Sequence, residues 1–266
     1  MKWANILPCS LTGSALFISL TAFSQIASQV LSPGEITKGY AELDARVLQM
    51  LPPHSALPPL LDLSKPEQST PGAGKQWEDR FTGSMGVRPI HDWGVSSVDT
   101  LTSVSTTTNE YAGDPKPLRG QSCDFIVIGQ PEDTSAHLAY NRRFVYSAYR
   151  VKVIEVLKGK RPREARNRGV IDIAQLGGSI RFPSGHQEFF WEANEGFVEL
   201  KKQYLLFLWK PVRSSETYMT SEAYLLQNGR VFPVTLRSSE AQYSNMPENK
   251  FLAKVKKLIA ANKDGE

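Results

Sequence analysis

The sequence predicts a mainly β domain, a small closed or partly closed barrel with one packing helix at its C-terminal end. Three observations predict this class. From Cys123 onward, short apolar segments alternate with turn residues, with a turn about every ten residues. The last segment changes to a helical period. Before Cys123 lies a long region that is rich in Pro, Ser and Thr, which is typical of an irregular arm.

The N-terminal residues have the composition of an export signal. Lys2 supplies a positive start, and residues 7–23 contain no charged side chain. The tripeptide Ala22-Phe23-Ser24 resembles a signal-peptidase site, with cleavage before Gln25. We therefore expect residues 1–24 to be a signal peptide and the protein to be exported, to the periplasm or outside the cell. The alternative is an uncleaved membrane anchor formed by residues 7–23.

Residues 25–120 predict an irregular arm that contains one short helix. The helix is predicted over residues 35–51, whose apolar residues recur at spacings of three or four. These are Ile36, Tyr40, Leu43, Val47 and Leu51. Prolines then interrupt any regular element: Pro52, Pro53, Pro58, Pro59, Pro66 and Pro71. Residues 100–109 are largely Ser and Thr, which also suits an extended linker.

The predicted barrel domain spans residues 121–266. Its strands are predicted at residues 125–128, 144–157, 170–174, 179–182, 187–192, 204–209, 223–226 and 231–234. Gly129 and Pro131 are expected to end the first strand. Residues 204–209 are apolar throughout, which indicates a central strand that is buried on both faces. The dipeptide Asn228-Gly229 predicts a tight hairpin turn between the last two strands.

The C-terminal helix is predicted from one apolar stripe and a basic opposite side. The stripe consists of Phe251, Leu252, Val255, Leu258 and Ile259. The basic residues on or near the other side are Lys254, Lys256 and Lys257. The long strand 144–157 fits an oligonucleotide/oligosaccharide-binding (OB) barrel, in which one strongly bent strand serves two sheet faces.

Five motifs in order resemble a known family. They are DFIVIG at 124–129, YRVKVIEVLKG at 149–159, Gly177-Gly178, KQYLLFL at 202–208 and NGRVFPV at 228–234. Over residues 121–262 this order resembles the OB-like barrel of netrin modules and tissue metalloproteinase inhibitors. It is most similar to cysteine-poor bacterial secreted relatives of that barrel. In the inhibitors an N-terminal cysteine chelates the target's zinc. Because no Cys-x-Cys lies near Gln25, the resemblance implies no inhibitory residue here.

The sequence predicts no catalytic residue, metal site or cofactor. Its four histidines are His54, His91, His137 and His186, and none pairs at helical metal-ligand spacing. There is no Gly-x-Ser-x-Gly elbow and no phosphate-binding Gly-rich loop. Removal of residues 1–24 takes Cys9 away, so Cys123 has no partner for an internal disulfide. Beside an apolar strand, Cys123 is predicted to be a buried structural thiol.

Basic residues follow the long strand, and an aromatic ribbon lies on a later one. The basic residues are Lys158, Lys160, Arg161, Arg163, Arg166 and Arg168, and the ribbon is Phe189, Phe190 and Trp191. The formal net charge is only +4, so any attraction to anions must be local. The leading hypothesis is a non-catalytic binding module that uses these residues, with the ribbon exposed. Its partner is then an extracytoplasmic protein, or an anionic glycan or lipid surface, and export argues against nucleic acid.

Simpler interpretations and two other functions stay open. The basic residues also suit a solvated hairpin end, and the aromatic residues also suit a barrel core or its rim. An envelope enzyme would use His186 with Glu188 or Glu192 on the hairpin 183–192, although an exposed hairpin face explains these carboxylates more simply. A structural module would be tethered to the membrane through residues 7–23, with residues 25–120 as its spacer.

Overall fold

The computed structural model describes residues 33–65, 102–107, 118, 123–139, 142, 144–159, 169–192, 195–211, 217–235 and 238–263. The predicted signal peptide, residues 1–24, lies outside this part of the chain. The described residues form three helices, α1 (Pro33–Met50), α2 (Ser238–Ala241) and α3 (Glu248–Lys263). Their strands are β1 (Leu60–Asp62), β2 (Thr102–Thr107), β3 (Phe125–Leu138), β4 (Val145–Lys158), β5 (Val170–Leu176), β6 (Gly178–Arg181), β7 (Gln187–Glu192), β8 (Gln203–Trp209), β9 (Tyr218–Gln227), β10 (Arg230–Pro233) and β11 (Met246–Pro247).

Five strands close a barrel with the connectivity of an OB-type fold. Their order is β3-β4-β5-β9-β8, and β8 pairs again with β3 to complete the ring. The β5–β9 pairing is parallel and short, and the other four pairings are antiparallel. β10 and β11 extend the sheet beyond β9. The mainly β fold and the barrel-like architecture predicted from the strand pattern are therefore confirmed.

The sequence pattern of each barrel strand explains its position. β4 alternates, so that Tyr149, Val151 and Val153 fill the barrel interior. β8 is apolar on both faces, because Leu206 and Leu208 point into the barrel while Leu205 and Phe207 meet a second cluster outside it. That outer cluster is covered by α3. The predicted central position of this strand is confirmed.

Helix α3 packs on the outside of the barrel through its predicted stripe. Phe251, Val255 and Ile259 are buried against strand residues such as Leu205 and Val231. Lys254, Lys256 and Lys257 are exposed. The hairpin before α3 turns at Asn228 and Gly229, which both have positive φ angles of 53° and 68°. Such angles are those of the turn that Asn-Gly predicts.

A second, smaller sheet carries the residues that the sequence assigns to the hairpin 183–192. Its order is β1-β6-β7-β2, with β1 parallel to β6 and β2 parallel to β7. Helix α1 packs on it through Leu43, Val47 and Leu51, which contact Phe189 and Trp191 of β7. The helix predicted over residues 35–51 is thus confirmed.

Regular structure extends beyond the predicted elements at three places, and each has a physical reason. In residues 33–65 the predicted helix α1 is followed by β1, and both bury apolar side chains on the same compact unit as the barrel. The Ser/Thr-rich stretch contains β2, since Ser and Thr can pair through their backbone with the free edge of β7. β3 does not end at Gly129. It continues through Pro131, where a register shift accommodates the missing N–H.

Candidate ligand-binding face

The outer face of β4 is exposed along the middle of the strand. Alternation along β4 directs Arg150, Lys152 and Ile154 away from the barrel interior, and all three side chains are exposed. Ile154 is 51% exposed, which is unusual for a large apolar residue in this protein. In OB-type barrels the corresponding face, on the second and third barrel strands, binds oligonucleotides and oligosaccharides. Here these strands are β4 and β5.

A cavity of about 170 Å³ lies on this face, across β3, β4 and β5. Its lining residues come from these three strands and from Thr217, the residue before β9. They are Asp133, Thr134, Ser135, Ala148, Tyr149, Arg150, Asp172, Ile173 and Thr217. The side chains that carry charge are two carboxylates and one guanidinium, so the lining has a formal charge of −1.

The strand register places Arg150 between the two carboxylates. Arg150 lies directly opposite Asp133 of β3 and directly opposite Asp172 of β5. Its Nε atom is 3.6 Å from Asp172 Oδ1, and the two side chains are 59% and 60% exposed. Ion pairs this exposed contribute about 0–1 kcal/mol to stability. The three charged groups therefore form a row that a ligand can reorganise at little energetic cost.

The hydroxyl groups of the cavity are held by neighbours on β3 and β4. Ser135 Oγ lies 2.8 Å from His137 Nε2, and the His137 ring stacks on Tyr146 with 5.2 Å between centroids. Thr134 Oγ1 donates to the carbonyl oxygen of Ala148 at 3.2 Å. Burial raises the pKa of Tyr149 well above its ordinary value, so its hydroxyl stays neutral. The site therefore offers fixed hydroxyls beside its three charges.

The basic residues predicted to bind anions begin at the far end of β4. Lys158 is half-buried, and its Nζ atom donates to the carbonyl oxygen of Cys123 at 2.7 Å. The Lys158 ammonium group therefore makes a hydrogen bond within the protein. Lys160, Arg161, Arg163, Arg166 and Arg168 lie outside the described residues. They follow β4 in sequence.

The aromatic ribbon is not exposed as predicted. Phe189 and Trp191 are buried, because α1 covers their face of β7. Phe190 is on the opposite face and is half-buried against the cluster that contains Ile180 and Phe182. The expectation failed because the residues that cover this face of β7 come from α1, roughly 140 residues earlier in the chain. The local sequence of β7 gives no sign of that contact.

The structure brings His186 and Glu188 together, but in the core rather than on an exposed hairpin face. His186 Nε2 lies 3.0 Å from Glu188 Oε1, and the two residues are 4% and 5% exposed. The His186 ring also stacks on Phe182. The side chain of Glu192 lies outside the described residues. Burial and mutual pairing favour a structural role for these two groups, and an enzymatic role stays a prediction.

Cys123 lies in the apolar cluster beneath α3, as predicted. Its Sγ atom is 3.3 Å from Ser221 Oγ, and burial raises the pKa of the thiol to about 11. A thiol with this pKa carries almost no thiolate at neutral pH and is a poor nucleophile. Within the described part of the chain, no three His, Cys, Asp or Glu side chains are grouped to hold a metal ion.

Sequence reasoning missed the residues that line the cavity. Asp133, Ser135 and His137 alternate on β3, but the predicted strand ended before them at Gly129. The alternation of residues 144–157 can place Arg150 on one face of its strand, but it cannot show the two carboxylates on the neighbouring strands. Alternation after Pro131 was the only local signal, and a proline normally argues against a continued strand.

No helix of the described residues is long and apolar enough to cross a membrane. The chain matches no family in a comparison with protein-family models, and a search of curated proteins finds no match either. Inferences about function therefore depend on the fold and on the chemistry of the β4–β5 face.

Proposed function

We propose that this protein is an exported, non-catalytic binding module for an anionic oligosaccharide of the cell envelope or its surroundings. The observation that carries the proposal is the open outer face of β4 and β5 in an OB-type barrel. This face combines a polar cavity with the exposed Lys152. The basic segment 158–168 follows β4 in the sequence. The signal-like residues 1–24 support export and make envelope components the accessible partners.

An oligosaccharide suits this face better than a flat anionic surface does. The cavity is a recess lined with hydrogen-bonding groups. A sugar ring can enter such a recess, whereas a flat layer of lipid headgroups does not. Segment 158–168 holds Lys158, Lys160, Arg161, Arg163, Arg166 and Arg168 against a single acidic residue, Glu164. Such a density of positive charge attracts a polyanion and makes its binding dependent on salt.

Replacement of Arg161, Arg163 and Arg166 by Ser tests the proposal. The probe is a hexamer in which glucuronate alternates with N-acetylglucosamine, and its binding is measured by isothermal titration calorimetry at roughly 50 and 300 mM salt. We expect the triple variant to bind between about tenfold and a hundredfold more weakly at low salt, since each basic side chain near an anionic ligand is worth about 1 kcal/mol. The difference shrinks at high salt because of screening.

The control removes the same charge from another surface. Replacement of Lys254, Lys256 and Lys257 by Ser takes three positive charges from the exposed side of α3. If both triple variants weaken binding equally, the effect is one of net charge, and segment 158–168 has no specific part. If the protein binds anionic lipid vesicles and not the hexamer, the ligand class proposed here is wrong.

A further inference from the structure

The cavity on the β4–β5 face has the wrong charge to hold an anionic group. Asp133 and Asp172 flank Arg150 on both neighbouring strands, and Arg150 already lies 3.6 Å from Asp172. A carboxylate, sulfate or phosphate placed in the cavity would face two negative side chains for one positive one. The charged part of an anionic ligand must therefore lie outside the cavity.

The hydrogen-bonding character of the lining selects a particular neutral group. Carboxylates only accept hydrogen bonds, and a guanidinium only donates them. A hydroxyl does both, so adjacent hydroxyls on one ring can donate to Asp133 or Asp172 while they accept from Arg150. The Ser135 hydroxyl, held by His137 at 2.8 Å, adds a further group of the same kind. These partners are those that a sugar ring requires.

The size of the cavity also fits a single ring. Its volume of about 170 Å³ equals that of about six water molecules in the liquid, at roughly 30 Å³ each. One inorganic ion would leave most of this space unfilled. Beyond the cavity, Lys152 is the next outward residue on β4 after Arg150, and its side chain is exposed.

We propose that the cavity between Asp133, Arg150 and Asp172 is a subsite for one neutral, hydroxyl-bearing sugar ring of a longer anionic oligosaccharide. The anionic substituents of the ligand then lie outside the cavity, where Lys152 is the next outward side chain on β4. The carboxylates determine specificity, because they select hydroxyls and exclude acidic groups from this position. This inference rests on the proposed function, since it assigns one part of the same ligand.

The test compares two polyanions that differ in their hydroxyl groups. One is a hexamer in which glucuronate alternates with N-acetylglucosamine, whose ring is neutral and bears hydroxyls, and the other is a linear polyphosphate of matched charge, which has no sugar ring. The variant is Asp133→Asn with Asp172→Asn. Both side chains are exposed, so the fold is expected to tolerate the change. The matched control is Glu132→Gln, which removes an exposed carboxylate from the same strand outside the cavity lining.

The proposal predicts effects of opposite sign in the double variant. Binding of the hexamer weakens by about tenfold, because charge-assisted hydrogen bonds to ring hydroxyls are lost. Binding of polyphosphate strengthens by about twofold or more, because two negative charges near it are removed. Glu132→Gln strengthens binding of both ligands slightly.

Each other outcome contradicts a defined part of the account. If the double variant strengthens binding of both polyanions, as the control does, the sugar subsite is wrong while the proposed function stands. If the unmodified protein binds polyphosphate and not the hexamer, the subsite and the oligosaccharide ligand are both wrong. If it binds neither polyanion, the proposed function fails and the subsite fails with it.

Discussion

At the scale of single residues, burial determines the chemistry of Cys123. The thiol lies under α3 beside Ile126 and Phe207, and its pKa rises from 9.0 to about 11 because burial disfavours the thiolate. The contact with Ser221 lowers the pKa and opposes only part of this effect. Burial makes the thiol inert, and it also makes the free energy of unfolding decrease at alkaline pH.

Stability is expected to fall as the pH rises from 9 to 11. Below pH 9 the thiol is protonated in both states, so its full contribution is present. Above pH 9 the unfolded chain releases the proton and the folded protein keeps it until about pH 11. The free energy of unfolding therefore falls by about 2–3 kcal/mol from this group. Urea denaturation at pH 8 and pH 11 measures this fall.

The variant Cys123→Ala separates this group from others that titrate in the same range. Tyr204, whose pKa burial raises from 10.0 to about 12, lowers the free energy of unfolding above pH 10 in both proteins. We expect the difference in unfolding free energy between the two proteins to shrink between pH 8 and pH 11. If it stays constant over this range, the thiol does not have the raised pKa.

At the scale of elements, helix α1 closes one side of the protein. Beyond its apolar contacts, the Tyr40 hydroxyl donates to the carbonyl oxygen of Gly185, and Arg181 lies 4.0 Å above the centre of the Tyr40 ring. Arg181 also donates to Gln187 Oε1 and lies 3.7 Å from Asp62 Oδ2. These contacts fix α1 and β1 to the β6–β7 hairpin, so residues 33–65 belong to the folded protein.

Replacement of Val47 by Ala tests the contribution of α1. Val47 is 1% exposed against β7, so the shorter side chain leaves a cavity and lowers the free energy of unfolding by about 2 kcal/mol. The neighbouring Leu48 is 43% exposed, and Leu48→Ala is expected to change stability by less than about 0.5 kcal/mol. Urea denaturation of both variants checks this. Equal effects would mean that α1 is not packed on β7 as described.

The elements also show what local sequence can predict. β4, β8 and α3 were predictable because the apolar pattern of each one reflects which of its own faces is buried. β4 alternates with period 2, β8 is apolar throughout, and α3 has the helical period of 3.6 residues. β1 and β2 were not, since each is held by backbone pairing with a strand far away in the chain. The row Asp133–Arg150–Asp172 was hidden for the same reason: it exists only once three strands are in register.

At the scale of the whole molecule, three surfaces of the described protein differ in what covers them. On one side α1 covers β7 and its aromatic residues, and on another α3 covers β8 and β9. The β4–β5 face keeps its charged side chains exposed. With a formal net charge of only +4, attraction of an anionic ligand must come from the local segment 158–168 and not from the overall field.

Export is tested by the intact mass of the protein recovered from fractionated source cells. We expect a mass that corresponds to a chain beginning at Gln25, in the soluble exported fraction, because residues 1–24 have the features of a cleaved signal. The mass of all 266 residues, found in the membrane fraction, would instead identify residues 7–23 as an anchor. The barrel would then act as a tethered module.

The most direct test of the binding face is a titration of the isotopically labelled protein with the alternating glucuronate and N-acetylglucosamine hexamer, followed by amide chemical shifts. We expect the shifts to concentrate at Ser135, Arg150, Lys152 and Asp172, and in the segment 158–168, at ligand concentrations that saturate the binding isotherm. Amides of α1 and β7 are expected to remain unchanged. Shifts confined to α1 and β7, or no shifts at all, would contradict the assignment of the β4–β5 face as the ligand-binding surface.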